Sequence, residues 1–521
     1  MTFPLLTVLA LVPLIGGLAL FFLKGRAGRI AGLAISLVTL ALGLWAFFSD
    51  ANLSEQHMWI ASIGAHYALG LDGMAKAMVL LSVILVPVVL LAEWRVGDRD
   101  EPLRGTPARA DLSDENRNRR ATWSTSTFFA LALVLEGLAL FVFMATDVLL
   151  FYIFFEATLI PMYFLIGGWG GPRRGQAALK FLLYSLAGGL IMLFSVIGLG
   201  AHTANSGNPS FLLSDLQALQ IDGQIGRWLW LGFFVAFAIK APMVPLHTWL
   251  PDTAEQATPG ASTLLVGVLD KIGTFGMIRF CLTLFPEASR WATPVVLALA
   301  LVSIIYGALM AMGSRDLLRL VSFTSISHFG FMVLGIFAFT TVSMNATIFY
   351  MLNHGFSTAA LFLVVGFLIR RRGSADIEAF GGVQKLAPVA AGLLLVSGLS
   401  ALALPGTSSF ISEFLVMAGA WQRHPWLTAV ATIGTVLAAV YVMRAYQRTM
   451  TGPVTDQAAR HFTNNDLNLR EKTVMVPLIA LLIGLGFVPN PMVRVTENTA
   501  KDTMAQVGMT DPAPIVKGAE R

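Results

Sequence analysis

Fourteen apolar runs, each close to the length that crosses a bilayer and separated by short polar breaks, constrain this chain more than any other feature. A hydrocarbon layer about 30 Å thick is spanned by a helix of roughly 20 residues, and in lipid a helix satisfies its own backbone. The runs lie near 3–23, 30–49, 73–94, 123–144, 148–168, 178–201, 228–249, 261–285, 293–313, 318–339, 345–369, 388–419, 426–446 and 473–493. The run at 388–419 is too long for one straight helix, and Pro405-Gly406 interrupts it. Only 12% of the 521 residues are charged and 56% are hydrophobic, too few charges to cover a soluble protein of this size. The sequence therefore predicts an all-α polytopic membrane protein of about 14 transmembrane helices. The net charge of +5 is then no argument for nucleic acid. The one cysteine, Cys281, lies inside an apolar run and excludes an internal disulfide or a cysteine-ligated cluster within the chain.

The positions of the cations give the orientation. No basic residue precedes the first apolar run, and Lys24, Arg26 and Arg29 follow it, which is the wrong order for a cleaved signal peptide. Alternating the spans places 24 Lys and Arg in one set of loops and 7 in the other, with Lys76, Lys240, Lys271 and Arg279 inside the spans or at their ends. Such a bias predicts that the rich set is cytoplasmic and that both termini lie outside, in a prokaryotic plasma membrane. The 95–120 loop is a solvated mixture of Arg, Asp and Glu with no amphipathic stripe, and no function is read from it. No Walker A or dinucleotide fingerprint occurs, and the glycine-rich GGWGGPRRG at 167–175 reads as a turn at a helix end. Any energy the chain uses must come from elsewhere.

A charge at the bilayer centre costs about 2.5–3.5 kcal/mol on insertion scales, so each intramembrane ionisable residue is a functional candidate. These are Glu136, Glu156, Lys240, Asp270, Lys271, His328, His354 and Glu413. Glu136 and Glu156 lie ten residues either side of Thr146, at one expected depth of about 15 Å, which suggests a shared proton or an acid awaiting a cation. Lys240 is the natural cation. Each has a structural reading as well. A buried Glu–Lys pair holds helices together, a histidine packs in a core, and Asp270 neutralises a neighbouring charge. Because i,i+1 residues do not share a helix face, that last reading does not extend to Lys271. Asp72 and Lys76, at i,i+4 spacing, are expected to form a structural pair.

Two of the candidates sit at broken helices. In FAIKAPMVP, Lys240 precedes Pro242 and Pro245, and in LPGTSSFISEF, Pro405-Gly406 precedes Glu413. Proline removes a donor and clashes with the preceding turn, and lipid tolerates the freed groups only where protein or water satisfies them. Pro242 lies 119 residues after position 123 and Pro405 lies 112 after position 293, so each break falls in the fourth span of a five-span block. An odd span count reverses the second block, and two inverted five-helix repeats with two broken helices are expected, with ion sites near the midplane. The chain divides accordingly into an N-terminal three-helix segment with a cytoplasmic loop (1–122), a first half (123–285), an inverted half (293–446) and a last helix with an external tail (447–521).

These segments together resemble the antiporter-like subunits of respiratory complex I, the proton-pumping NADH:quinone oxidoreductase. The residues that carry the resemblance are FFEATLIPMYFLIGGWGG, FAIKAPMVPLHTWLPDTAEQATPGAS, VLDKIGTFGMIRF, SRDLLRLVSFTSISHFGF, MLNHGFSTAALFL and LPGTSSFISEF, and the likeness extends over essentially all the spans. It implies that Glu156 and Lys240 are the acid and cation of a first half-channel, that Lys271, His328 and His354 form a central polar axis, and that Glu413 ends the second half-channel. Other members of the family, and multisubunit sodium/proton antiporters, typically place a lysine at the position of Glu413. The sequence departs from the family where Leu318-Arg319 replaces a basic pair and where Asp270 replaces an apolar residue, as an extra ion pair or a brake on Lys271. The resemblance implies no cofactor in this chain. It implies neighbouring membrane subunits as partners, with FMN, iron–sulfur clusters and quinone in other subunits. A stand-alone or multisubunit cation/proton antiporter, and the membrane subunit of a related hydrogenase complex, are the alternatives.

The expected mechanism is electrostatic. Two unit charges 7 Å apart at an effective dielectric of 20 interact by about 2.4 kcal/mol, or roughly 1.7 pKa units. Moving one proton against 100 mV needs about 2.3 kcal/mol, the same order. Pulling Glu156 away from Lys240 would therefore shift the proton occupancy of the lysine more than tenfold.

Overall fold

The computed structural model describes residues 4–49, 53–98, 123–219 and 221–513. The 95–120 loop lies outside these residues from position 99 onward. Among the described residues nine helices are long and apolar enough to cross a membrane, or ten if the bent pair Leu469–Phe487 and Asn490–Val507 counts as one span. The remaining apolar runs form shorter or interrupted helices, among them Leu5–Leu20 and Pro388–Ala401.

The bundle is layered by burial. Leu317–Phe337 and Thr341–Arg372 are apolar and enclosed on every side, whereas Gly25–Phe48 and Pro425–Met450 expose most of their surface. A helix apolar all round, such as Thr125–Met144, packs in the centre. Exposed large side chains, including Phe22, Phe48, Phe194, Trp426 and Phe487, give the outer surface the apolar character of a lipid-facing wall. Pro286–Gly313 lies along Leu317–Phe337, and Leu5–Leu20 along Thr125–Met144.

Both breaks predicted from proline are present. Gly223–Lys240 ends at Lys240, and helix resumes at Trp249–Gln256. Pro388–Ala401 ends before Ala403 and Gly406, both at positive φ, and helix resumes at Ser408–Trp421. The region around Lys271 is broken differently. Two π-helical turns, Leu265–Leu269 and Met277–Leu282, flank the short helix Lys271–Gly276. A π-turn leaves a carbonyl free for a side chain, which periodicity alone does not reveal.

Three expectations need correction. The chain is not wholly helical, because Ser54–Ile60 and Ala65–Gly70 pair as an antiparallel hairpin. Asp72 does not pair with Lys76. It caps Gly73–Ala92 through Ala75 N (2.8 Å) and forms an ion pair with Arg279 (2.7 Å), while Lys76 reaches the carbonyl of Ser49 (2.9 Å). An N-cap aspartate is committed to the first turn, which leaves its second oxygen for a neighbouring helix. The last span does not run straight to position 493. Leu469–Phe487 ends, and at Pro489 the chain turns by 73° into Asn490–Val507, with Pro491 in its first turn. That helix packs back on the bundle, where Thr499 Oγ1 accepts from Gly73 N and Thr496 Oγ1 donates to Asn345 Oδ1 (2.5 Å).

Candidate functional site

The first broken helix delivers Lys240 to a buried, apolar spot. Among the described residues its ammonium nitrogen has no hydrogen-bond partner, and it lies 5.4 Å from the ring centre of Phe155 and 5.3 Å from that of Phe181. Ring faces attract a desolvated cation by about 2 kcal/mol or more, which offsets part of its burial. Glu156 comes from the neighbouring span, one residue before the end of Val148–Ala157, where the helix is interrupted at Thr158 ahead of Pro161. It interacts electrostatically with Lys240 without a direct ion pair. The carboxyl of Glu156 occupies the place that a Cβ on Gly189 would fill, so only glycine leaves room for it there.

Glu136 stands apart. Its carboxyl is buried, and neither oxygen has a hydrogen-bond partner among the described residues. The two glutamates expected at one depth therefore do not form a pair. Equal depth sets no azimuth, and Glu156 faces Lys240 instead.

The second half of the site is hydrogen-bonded. Lys271 Nζ donates to the carbonyl of Val266 (2.9 Å), in the first π-turn, and meets His354 Nδ1 at 2.8 Å. It also lies 4.6 Å from the ring centre of Phe329. His354 Nε2 meets Thr358 Oγ1 at 3.1 Å, and the rings of His354 and His328 are 5.2 Å apart. The His328 ring lies 6.0 Å from that of Tyr350, whose hydroxyl donates to Glu413 Oε2 (2.7 Å). Thr435 Oγ1 donates to the other oxygen, Glu413 Oε1 (2.6 Å). Lys271, His354, His328 and, through Tyr350, Glu413 thus come together as one buried line.

Sequence reasoning missed several members of this line. Tyr350 sits four residues before His354 on the same helix face, a spacing that could have found it. Thr435 and Asn353, which donates to the carbonyl of Ser408 (3.1 Å) beside the second break, carry no comparable signal. His247 lies in the first break, buried between the rings of Tyr306 (5.0 Å) and Phe323 (6.4 Å).

After His247 in the chain come the acids of a charged cluster. Asp252 binds Lys180 (2.6 Å) and Arg319 (2.8 Å), and Glu255 binds Arg319 (3.0 Å) and Arg173 (3.1 Å). These groups line a polar cavity of about 270 Å³. Partial burial pushes the Asp252 carboxyl up, but hydrogen bonds from Lys180 and Arg319 outweigh it and hold the group below its usual range. The 167–175 turn docks here as a turn should, with Gly171 N and Arg173 N donating to Gln256.

Residues 145–438, which hold this line together with Glu156 and Lys240 but not Glu136, match the family model described as NADH:quinone oxidoreductase/Mrp antiporter, transmembrane. The chain belongs to this family. It is 45% identical to NADH-quinone oxidoreductase subunit M of Mycobacterium tuberculosis over 98% of this chain and 96% of the relative. Among solved structures it is similar to a chain of respiratory complex I from Thermus thermophilus, at 31% identity and a TM-score of 0.85, covering 96% of this chain and all of the other. A chain of the Mrp complex from Dietzia aligns with a TM-score of 0.81 over 97% of this chain and all of that one, at 19% identity, a likeness of fold alone. Like its relatives in this family, the chain is a multi-pass membrane protein with an antiporter-like fold.

Proposed function

We propose that this chain is the proton-translocating membrane subunit of an NADH:quinone oxidoreductase, held among other antiporter-like membrane subunits. The observation that carries this reading is the buried line of titratable groups between the two helix breaks, hydrogen-bonded from Lys271 to His354 and from Tyr350 to Glu413. A scaffold does not need ionisable groups in apolar surroundings, where each costs free energy to bury.

Protons enter from the cytoplasm at the Asp252–Arg319 cluster and load Lys240. They pass along Lys271, His354 and His328 and leave to the outside beyond Glu413. Glu156 sets the occupancy of Lys240 by approaching or withdrawing. FMN, iron–sulfur clusters and quinone belong to partner subunits, and their redox chemistry drives that movement. Fourteen spans in two inverted five-helix blocks, with both termini outside a prokaryotic plasma membrane, fit this arrangement. Supporting it, Arg227 pairs with Glu287 (2.6 Å) and Arg423 donates to the carbonyl of Thr510 (2.7 Å) at helix ends opposite the cytoplasmic cluster. The role of Glu136 is a separate proton store off the main line.

The test uses the assembled complex in liposomes. Lys240→Met and Glu156→Gln should lower proton pumping and quinone reduction together while the complex stays assembled. Sodium–proton exchange by the purified chain alone would favour an antiporter instead. Loss of assembly with unchanged turnover per assembled complex would reduce the site to a scaffold.

A further inference from the structure

We propose that Asp270 is a proton-carrying residue that links Lys240 to Lys271. This rests on the function proposed above and adds a group to its path. Asp270 is fully buried, at the end of the first π-turn, where its N–H donates to the carbonyl of Leu265 (2.9 Å). The short helix that follows it, Lys271–Gly276, lies directly on the end of the Lys240 helix. A Cβ on Gly273 would stand 2.5 Å from Ala241 N and 2.7 Å from the carbonyl oxygen of Phe237, so the two backbones touch there. From this position Asp270 interacts electrostatically with both Lys240 and Lys271.

The plainer assignment, a fixed ion pair that neutralises Lys271, does not fit the geometry. Lys271 Nζ donates to the carbonyl of Val266 and is hydrogen-bonded with His354 Nδ1. Among the described residues neither Asp270 oxygen has a hydrogen-bond partner. A carboxylate meant to stay ionised in a dry interior is normally clasped by donors, because an unpaired buried charge costs several kcal/mol. Asp270 is instead buried next to Lys271 in the chain, where the helix that follows it packs on the end of the Lys240 helix, and it is hydrogen-bonded to neither amine. A group in that position can accept and release.

The step balances without a further reactant. The Lys240 ammonium gives a proton to the Asp270 carboxylate, one N–H bond breaking as one O–H bond forms. The resulting carboxylic acid gives it to the neutral amine of Lys271, breaking O–H and forming N–H. Asp270 returns to its starting state, and one positive charge has moved from Lys240 to Lys271.

The experiment compares Asp270→Asn, Asp270→Glu and Lys240→Met in the assembled complex reconstituted in liposomes. Asp270→Asn keeps the shape and cannot carry a proton. Its pumping rate should fall about tenfold or more, since a positioned proton-transfer group contributes at least about a hundredfold to its step. Asp270→Glu should restore most of the rate. Redox-difference infrared spectra should show a carboxyl band that Asp270→Asn removes and Asp270→Glu shifts. Pumping by Asp270→Asn at the parent rate while Lys240→Met stalls would overturn the role of Asp270 alone. Normal pumping by both would overturn the proposed function as well. If Asp270→Asn fails to assemble, the infrared band of the Asp270→Glu complex decides, and an unshifted band overturns the proposal.

Discussion

The two broken helices present their ionisable groups in opposite ways. Lys240 ends the first half-helix with no hydrogen-bond partner among the described residues and with the rings of Phe155 and Phe181 beside its amine. Glu413 follows the second break with both oxygens held by hydroxyl donors, Tyr350 and Thr435. The same device, a proline that opens a span, thus serves two purposes. At Lys240 the charge is loosely held and answers to distant charges such as Glu156. At Glu413 the geometry is fixed in advance, which suits a group that receives a proton and passes it on. One site responds and the other is preorganised, and the hydrogen-bonded line through Lys271 and His354 lies between them.

That contrast can be broken by experiment. The largest effect is expected from Glu413→Gln, which keeps the size of the side chain and removes its titration. Pumping by the assembled complex should fall about tenfold or more, and an unchanged rate would mean that Glu413 is merely a packed acid. Next comes Tyr350→Phe. A hydrogen bond to a charged group is worth about 1.5–3 kcal/mol, so loss of this donor should slow pumping roughly tenfold. Thr435→Val should act in the same direction, and the two together should exceed either alone. Gly189→Ala should be milder. Its added methyl takes the place of the Glu156 carboxyl and displaces it, changing its interaction with Lys240 and slowing turnover several-fold with assembly preserved. The smallest effect belongs to the exposed cluster. Asp252 is held below its ordinary range when folded, so its contribution is present above its unfolded value of about 4 and is lost as pH falls through the folded value. The melting difference between the parent and Asp252→Asn should therefore stay constant from neutral pH down to about pH 5.

Much of this is legible in the amino-acid sequence itself. Apolar runs mark spans because lipid offers backbone groups no partner, and Pro242 and Pro405 mark breaks because proline cannot continue the ladder. Lys240, Lys271 and Glu413 stand out because charge in such runs is expensive. What stays hidden depends on azimuth and tertiary contact. Glu136 and Glu156 share a depth and not a direction. The Ser54–Ile60 strand, mostly exposed and without an apolar alternation, carries no strand signal. The π-turn that frees Val266 for Lys271 follows from packing against neighbouring helices, and the donors of Glu413 come from residues 63 and 22 positions away in the chain.

The central claim is that these buried groups form one conducting line. A cryo-electron microscopy map of the assembled complex that resolves waters tests it most directly. The account predicts ordered water bridging the gaps from the Asp252 cavity past Lys240, Lys271 and His354 to Glu413. A dry, apolar wall separating Lys240 from Lys271, or Lys271 from Glu413, in both states of the redox cycle, would contradict it.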